Sequence, residues 1–95
     1  MKISKTDIVC ALAGKEEGKL FVVIDTEDGF AFIADGKSRK VESPKRKNVK
    51  HLRKVTKDRC DAVLEMLQSK EITNKNLRRA LAVFTALPDG EHGGM

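Results

Sequence analysis

Two apolar runs of five residues, LFVVI at 20–24 and FAFIA at 30–34, are separated by the turn sequence Glu27-Asp28-Gly29. Strand, Asp-Gly turn, strand is a strong hairpin signal, and it constrains the first half of the chain more than any other feature. Residues 7–12 add a third strand pattern, with Ile8, Val9 and Leu12 as anchors, and residues 13–18 form a polar loop bracketed by Gly14 and Gly18. Asp35-Gly36 closes the hairpin. Beyond it, Arg39-Lys40-Val41-Glu42 reads as a fourth strand, and residues 49–52 as a short fifth strand or a single helical turn. Pro44 lies between them and cannot join a central ladder, so the chain turns or runs along an edge there. Strands this short, with turns every ~8–12 residues, suggest a small closed barrel. Closure would also remove edges open to aggregation.

The period then changes. Cys60, Val63, Leu64 and Leu67 fall at i, i+3, i+4 and i+7, an apolar helical stripe preceded by Thr56 as cap and Asp58 in the first turn. A second stripe follows in Leu77, Ala80, Leu81 and Phe84, capped by Thr73. Pro88 and the glycines after it end the pattern. The expected architecture is mainly β. A small barrel occupies residues 1–55, a helical hairpin 56–88 that buries Leu64, Leu67, Leu81 and Phe84, and a disordered tail 89–95.

Charge is distributed unevenly. Residues 37–57 contain ten Lys or Arg against one acid, Glu42, a net of +9 in a chain whose total is +5, so the remainder is mildly acidic. A localised footprint of this kind is what polyanions recognise. A fold that needed only solubility would mix in acids, because like charges repel. Arg39, Arg46 and Arg53 can grip phosphates with two donors, whereas Lys37, Lys40, Lys45, Lys47, Lys50 and Lys54 act as point charges. Asn48 and His51 could reach base edges or 2′-hydroxyls of RNA, although a lone His is more often a surface residue. Lys15, at the tip of the loop 14–18, joins the candidate set. That loop reads equally well as an ordinary strand connection or as a backbone pressed against RNA.

Enzyme chemistry finds little support. His51 and His92 are scattered, no nucleophile–base grouping has signature spacing, and neither metal-ligand nor cofactor-binding spacing is present. The loop is too short for a P-loop and lacks its Gly-Lys-Ser/Thr ending. Glu16, Glu17, Asp25, Glu27 and Asp28 sit in or beside turns, where solvated carboxylates are expected. Cys10 and Cys60 suit reduced thiols used as small hydrophobes, which fits a cytoplasmic protein. No apolar run approaches the ~20 residues of a membrane span. Four Phe, with neither Trp nor Tyr, supply all the aromatic surface. Phe30 and Phe32 project to one face, as core or as a platform for unpaired bases, and core is favoured while aromatics are so few. Phe21 lies opposite Leu20, Val22 and Ile24, and the pattern does not decide which of these faces is inward.

The stretch DIVCALAGKEEGKLFVVID, residues 7–25, resembles the KOW motif, a strand-loop-strand element of ribosomal and transcription-elongation proteins. Gly18 matches the glycine on which that motif is built. The continuation FAFIADGKSRKVESPKRKNVKHL is similar to the basic half of small bacterial KOW-containing RNA-binding proteins, themselves similar to the N-terminal barrel of some archaeal and eukaryotic large-subunit ribosomal proteins. The resemblance covers residues 5–55 and says nothing of the helices. It implies an SH3-like barrel that binds RNA, ribosomal RNA among the candidates. The leading expectation is therefore a non-catalytic, translation-associated RNA-binding protein. The alternative is an adaptor that docks a protein partner through the barrel or the helical pair, using an exposed apolar groove. Duplex DNA would use the same charges, but the basic stretch lacks a recognition-helix pattern.

Overall fold

A computed structural model describes residues 2–55 and 72–86 of the chain. Five strands and one helix make up the regular structure there: β1 (Ile8–Ala11), β2 (Leu20–Glu27), β3 (Phe30–Ala34), β4 (Lys45–Asn48), β5 (Leu52–Lys54) and α1 (Asn74–Ala86). All pairings are antiparallel, in the order β4-β3-β2-β1-β5. The expected hairpin is β2–β3, closed by Asp28-Gly29 with Gly29 at φ +78°. β2 extends past its apolar run through Asp25, Thr26 and Glu27, because each of these pairs with a residue of β3.

Both faces of the sheet are buried, which is why an unbroken apolar run could not reveal an inward side. On one face Ile8, Val22 and Ala34 lie directly opposite one another across β1, β2 and β3, and Leu77, Ala80 and Phe84 of α1 cover them. On the other, Val9, Ala11, Phe21, Val23, Ala31, Ile33 and Leu52 pack together. Phe21 is fully buried, worth roughly 1.5–3 kcal/mol relative to exposure. A register shift between Val23 and Asp25 makes Ile24 an extra residue, and such a bulge bends its strand.

The two edge strands are consecutive in the chain, joined by the 3-10 turn Val49–His51. A flat sheet would hold them ~19 Å apart, four steps of ~4.8 Å. Three residues of 3-10 helix advance only ~6 Å. The sheet therefore curls until its edges converge at that end. Among the described residues no ladder joins β4 to β5, so the expected closure does not take the form of a continuous hydrogen-bonded ring.

Several local expectations are corrected. Residues 39–42 do not form a strand. The backbone there serves the loop and the helix: the Arg39 carbonyl accepts from Asp35 and Gly36, and the Val41 N–H donates to Asn74 Oδ1 at 2.8 Å. The fourth strand is instead the charged run Lys45–Asn48, after Pro44, and of the two readings of 49–52 the helical turn holds for 49–51. Leu12 lies beyond β1 and is 46% exposed, so it is no anchor. Phe30 and Phe32 are half-buried while Ala31 and Ile33 are buried. The face bearing the two phenylalanines runs out opposite Glu27 and Asp25, away from the row covered by α1. Cys10 is half-buried, with Sγ directed at the Ala11 carbonyl (3.6 Å).

The second apolar stripe holds. Thr73 caps α1, its Oγ1 accepting from the Asn76 N–H at 3.1 Å, and Leu77, Ala80 and Phe84 are buried with Leu81 half-buried. The stripe packs on the sheet, against Ile8, Val22 and Ala34. The stripe around Leu64 and Leu67, the helical hairpin it would complete, and the tail lie outside the described residues.

Candidate nucleic-acid interface

The loop between β1 and β2 is built from two overlapping turns. The Glu17 N–H donates to the Gly14 carbonyl (3.2 Å) and the Lys19 N–H to the Glu16 carbonyl (2.9 Å), while the Gly18 N–H closes onto the Ala11 carbonyl (2.8 Å). Gly14 and Gly18 take φ +83° and +86°, a region that glycine enters without steric cost. A Cβ on Gly18 would meet nothing within 4 Å, so its backbone angle, not a close neighbour, calls for glycine.

These turns aim Glu16 inward over the basic strand. Arg39 Nε and Nη2 both donate to Glu16 Oε2, at 3.1 and 2.9 Å, and Lys45 and Lys47 ammonium groups approach Oε1 at 3.8 Å each. The Glu16 side chain is only 12% exposed. Its carboxyl is held below its ordinary range, first by the Arg39 hydrogen bond and then, against the opposing effect of burial, by the charges of Lys45, Arg39 and Lys47. Arg39 is itself fixed from behind, because Asp35 Oδ1 accepts its backbone N–H at 2.8 Å. Burial pushes the Asp35 carboxyl up, but the N–H groups of Arg39 and Lys37 and the Ser38 hydroxyl outweigh that and hold it low.

Alternation along β4 divides the basic run. Lys45 and Lys47 are partnered with Ile33 and Ala31, on the side of the Glu16 loop, whereas Arg46 and Asn48 are partnered with Phe32 and Phe30 on the other. Lys47 is 12% exposed and also donates to the Ala13 carbonyl (3.2 Å), which makes it a structural cation. Arg46 lies 3.8 Å from the Phe30 ring centre and pairs with Glu27 at 3.3 Å. Both members of that pair are more than half exposed, so it adds under ~1 kcal/mol. Asn48 spends its Oδ1 capping the 3-10 turn through the Lys50 N–H (2.9 Å). Lys54 bridges Asp7 and the Lys2 carbonyl, both at 3.4 Å.

Of the twelve candidate residues, then, Arg39, Lys45, Arg46, Lys47, Asn48 and Lys54 hold intramolecular partners. Lys15, Lys37, Lys50, His51 and Arg53 are exposed with no side-chain partner among the described residues, and Lys40 is exposed beside Glu42. Arg39, Lys45 and Lys47 converge on the β1–β2 loop, which itself carries the exposed Lys15. Lys50, His51 and Arg53 form a second group where the sheet edges meet. Sequence reasoning grouped Glu16 with solvated turn carboxylates. Its partners stand 23 or more positions away, and no local pattern announces them. The cations of α1, Lys75, Arg78 and Arg79, lie outside the basic segment, on the exposed face of a helix whose sequence signal is its apolar stripe. Compared with known proteins, the chain matches no protein-family model and no curated protein.

Proposed function

We propose that this chain is a non-catalytic RNA-binding protein of the translation apparatus, holding RNA mainly by its phosphates. The observation that carries the reading is the Glu16 cluster: three cations, Arg39, Lys45 and Lys47, share one carboxylate, with Lys15 exposed beside it in the chain. One negative charge leaves the cluster with a surplus, and Arg39 and Lys45 stay 38% and 35% exposed, open to a second anion. Glu16 acts as the internal counter-ion that sets the spacing of these donors before RNA arrives, which lowers the ordering cost of binding. Contacts of this kind position RNA without reading its sequence. The strand order and the short helical turn between converging edges support an SH3-like, KOW-type barrel, and with it a ribosomal or ribosome-associated role. The chain is proposed to work in the cytoplasm.

Nucleic acid carried through purification tests this directly. Protein isolated at low salt should bring along material absorbing near ~260 nm that ribonuclease degrades and a high-salt wash removes, since phosphate contacts weaken steeply with salt. Protein must be quantified independently, because the chain has neither Trp nor Tyr. Protein that stays free of RNA in low-salt lysate would count against the proposal.

A further inference from the structure

α1 carries three cations and no acid, and they sit at the wrong end for helix stability. Its first turn has no acidic residue and its last turn no basic one, whereas Lys75, Arg78 and Arg79 crowd the N-terminal half. The helix dipole disfavours cations near the N-terminus, so their placement is not explained by the helix itself. At i, i+3 and i+4 they share one face, all three exposed, opposite the buried Leu77, Ala80 and Phe84.

The loop that supplies Arg39 to Glu16 also docks on this helix. Asn74 Oδ1 accepts from the Val41 N–H at 2.8 Å, its Nδ2 donates to Glu42, and Arg78 Nη1 donates to the Gly36 carbonyl at 2.6 Å. Arg78 is thereby fixed at the rim of an open cleft of about 340 Å³, lined by Leu20, Asp35, Lys37, Arg78 and Leu81. Asp35, the acid of that cleft, has both oxygens engaged by its own loop: Oδ1 accepts from the Lys37 and Arg39 N–H groups and Oδ2 from the Ser38 hydroxyl. The Lys37 ammonium therefore has no ion-pair partner among the described residues. A guanidinium with donors to spare and an unpaired ammonium, beside two leucines, suit a phosphodiester with its attached sugar.

We propose that the outward face of α1, with Lys37, is a second phosphate-binding surface, so that RNA resting on the Glu16 cluster runs across the loop onto Lys37, Lys75, Arg78 and Arg79. Lys37 and Arg39, two residues apart, link the two surfaces. The inference rests on the RNA reading and extends the site to an element that the KOW resemblance does not cover.

The test is a full-length Lys37→Gln/Lys75→Gln/Arg79→Gln variant, which leaves the Arg78 contact in place. Its binding to a fluorescein-labelled RNA stem-loop is compared with the parent by anisotropy across a salt series. Loss of three contacts should flatten the slope of log K against log salt by about two units or slightly more. An unchanged slope would overturn the second surface, and parental binding that is still salt-dependent would show that the RNA reading survives without it. A parent that binds no RNA would overturn both. Acetylation footprinting of the unaltered chain gives an answer independent of any variant. RNA should shield Lys37 and Lys75, and equal reactivity with and without RNA would contradict the proposal.

Discussion

Arg39 places two donors on one oxygen of Glu16, at 3.1 and 2.9 Å, and this contact ties the β1–β2 loop to the loop that docks α1. Because Glu16 ionises more readily when folded than when unfolded, it contributes stability that is fully present above its unfolded value of 4.5 and is lost as pH falls through the lower folded value. Denaturant midpoints should therefore fall on acidification below 4.5 more steeply in the parent than in Glu16→Gln. The variant should already be less stable at neutral pH. Parallel pH profiles would mean that the ion cluster does not contribute in solution.

Gly36 is buried at φ +79°, and a Cβ there would clash with the backbone carbonyl of Asn74. Gly29 has a similar angle, φ +78°, with open space around it. Gly29→Ala should cost about 1–2 kcal/mol from backbone conformation alone. Gly36→Ala should cost more, because the first turn of α1 must shift as well. Equal urea midpoints for the two variants would place the helix farther from this loop than described.

Leu77 is fully buried between α1 and the Ile8–Val22–Ala34 row. Leu77→Ala should destabilise the protein by roughly 2–5 kcal/mol, measurable by thermal or urea unfolding. A negligible change would mean that α1 does not pack on the sheet.

Two cations of the basic segment should respond in opposite ways. Lys47→Met removes the donor to the Ala13 carbonyl and one counter-charge of Glu16, and should lower stability by about 1–2 kcal/mol. Arg53→Gln, at an exposed position on β5, should leave stability within about 0.5 kcal/mol while weakening RNA binding. A stability loss in Arg53→Gln as large as that in Lys47→Met would erase the distinction between structural and RNA-facing cations.

What was legible in the sequence was what is local. The Asp28-Gly29 turn between two apolar runs determines the hairpin within fifteen residues, and the Leu77, Ala80, Phe84 spacing with Thr73 before it determines a helix. The fourth strand escaped because Lys45–Asn48 carries no apolar alternation. It becomes a strand by pairing with β3 at an edge, with its lysines turned to Glu16 and Arg46 laid on Phe30. The same separation hid Glu16: a carboxylate in a glycine-bounded loop looks solvated until the fold brings Arg39 and the β4 lysines over it. The charge of the 37–57 segment was plain, but its division into structural and outward cations depends on β4 alternation and on contacts between residues far apart in the chain.

In the proposed function, phosphate contacts from this cationic surface hold RNA, and the salt dependence of RNA affinity measures those contacts most directly. If about five cations touch phosphates, log K should fall with log salt at a slope near −3.5 to −4.5, a loss of about two orders of magnitude between ~50 and ~200 mM salt. An affinity that does not change with salt, or no measurable RNA binding at the lowest salt, would contradict the account.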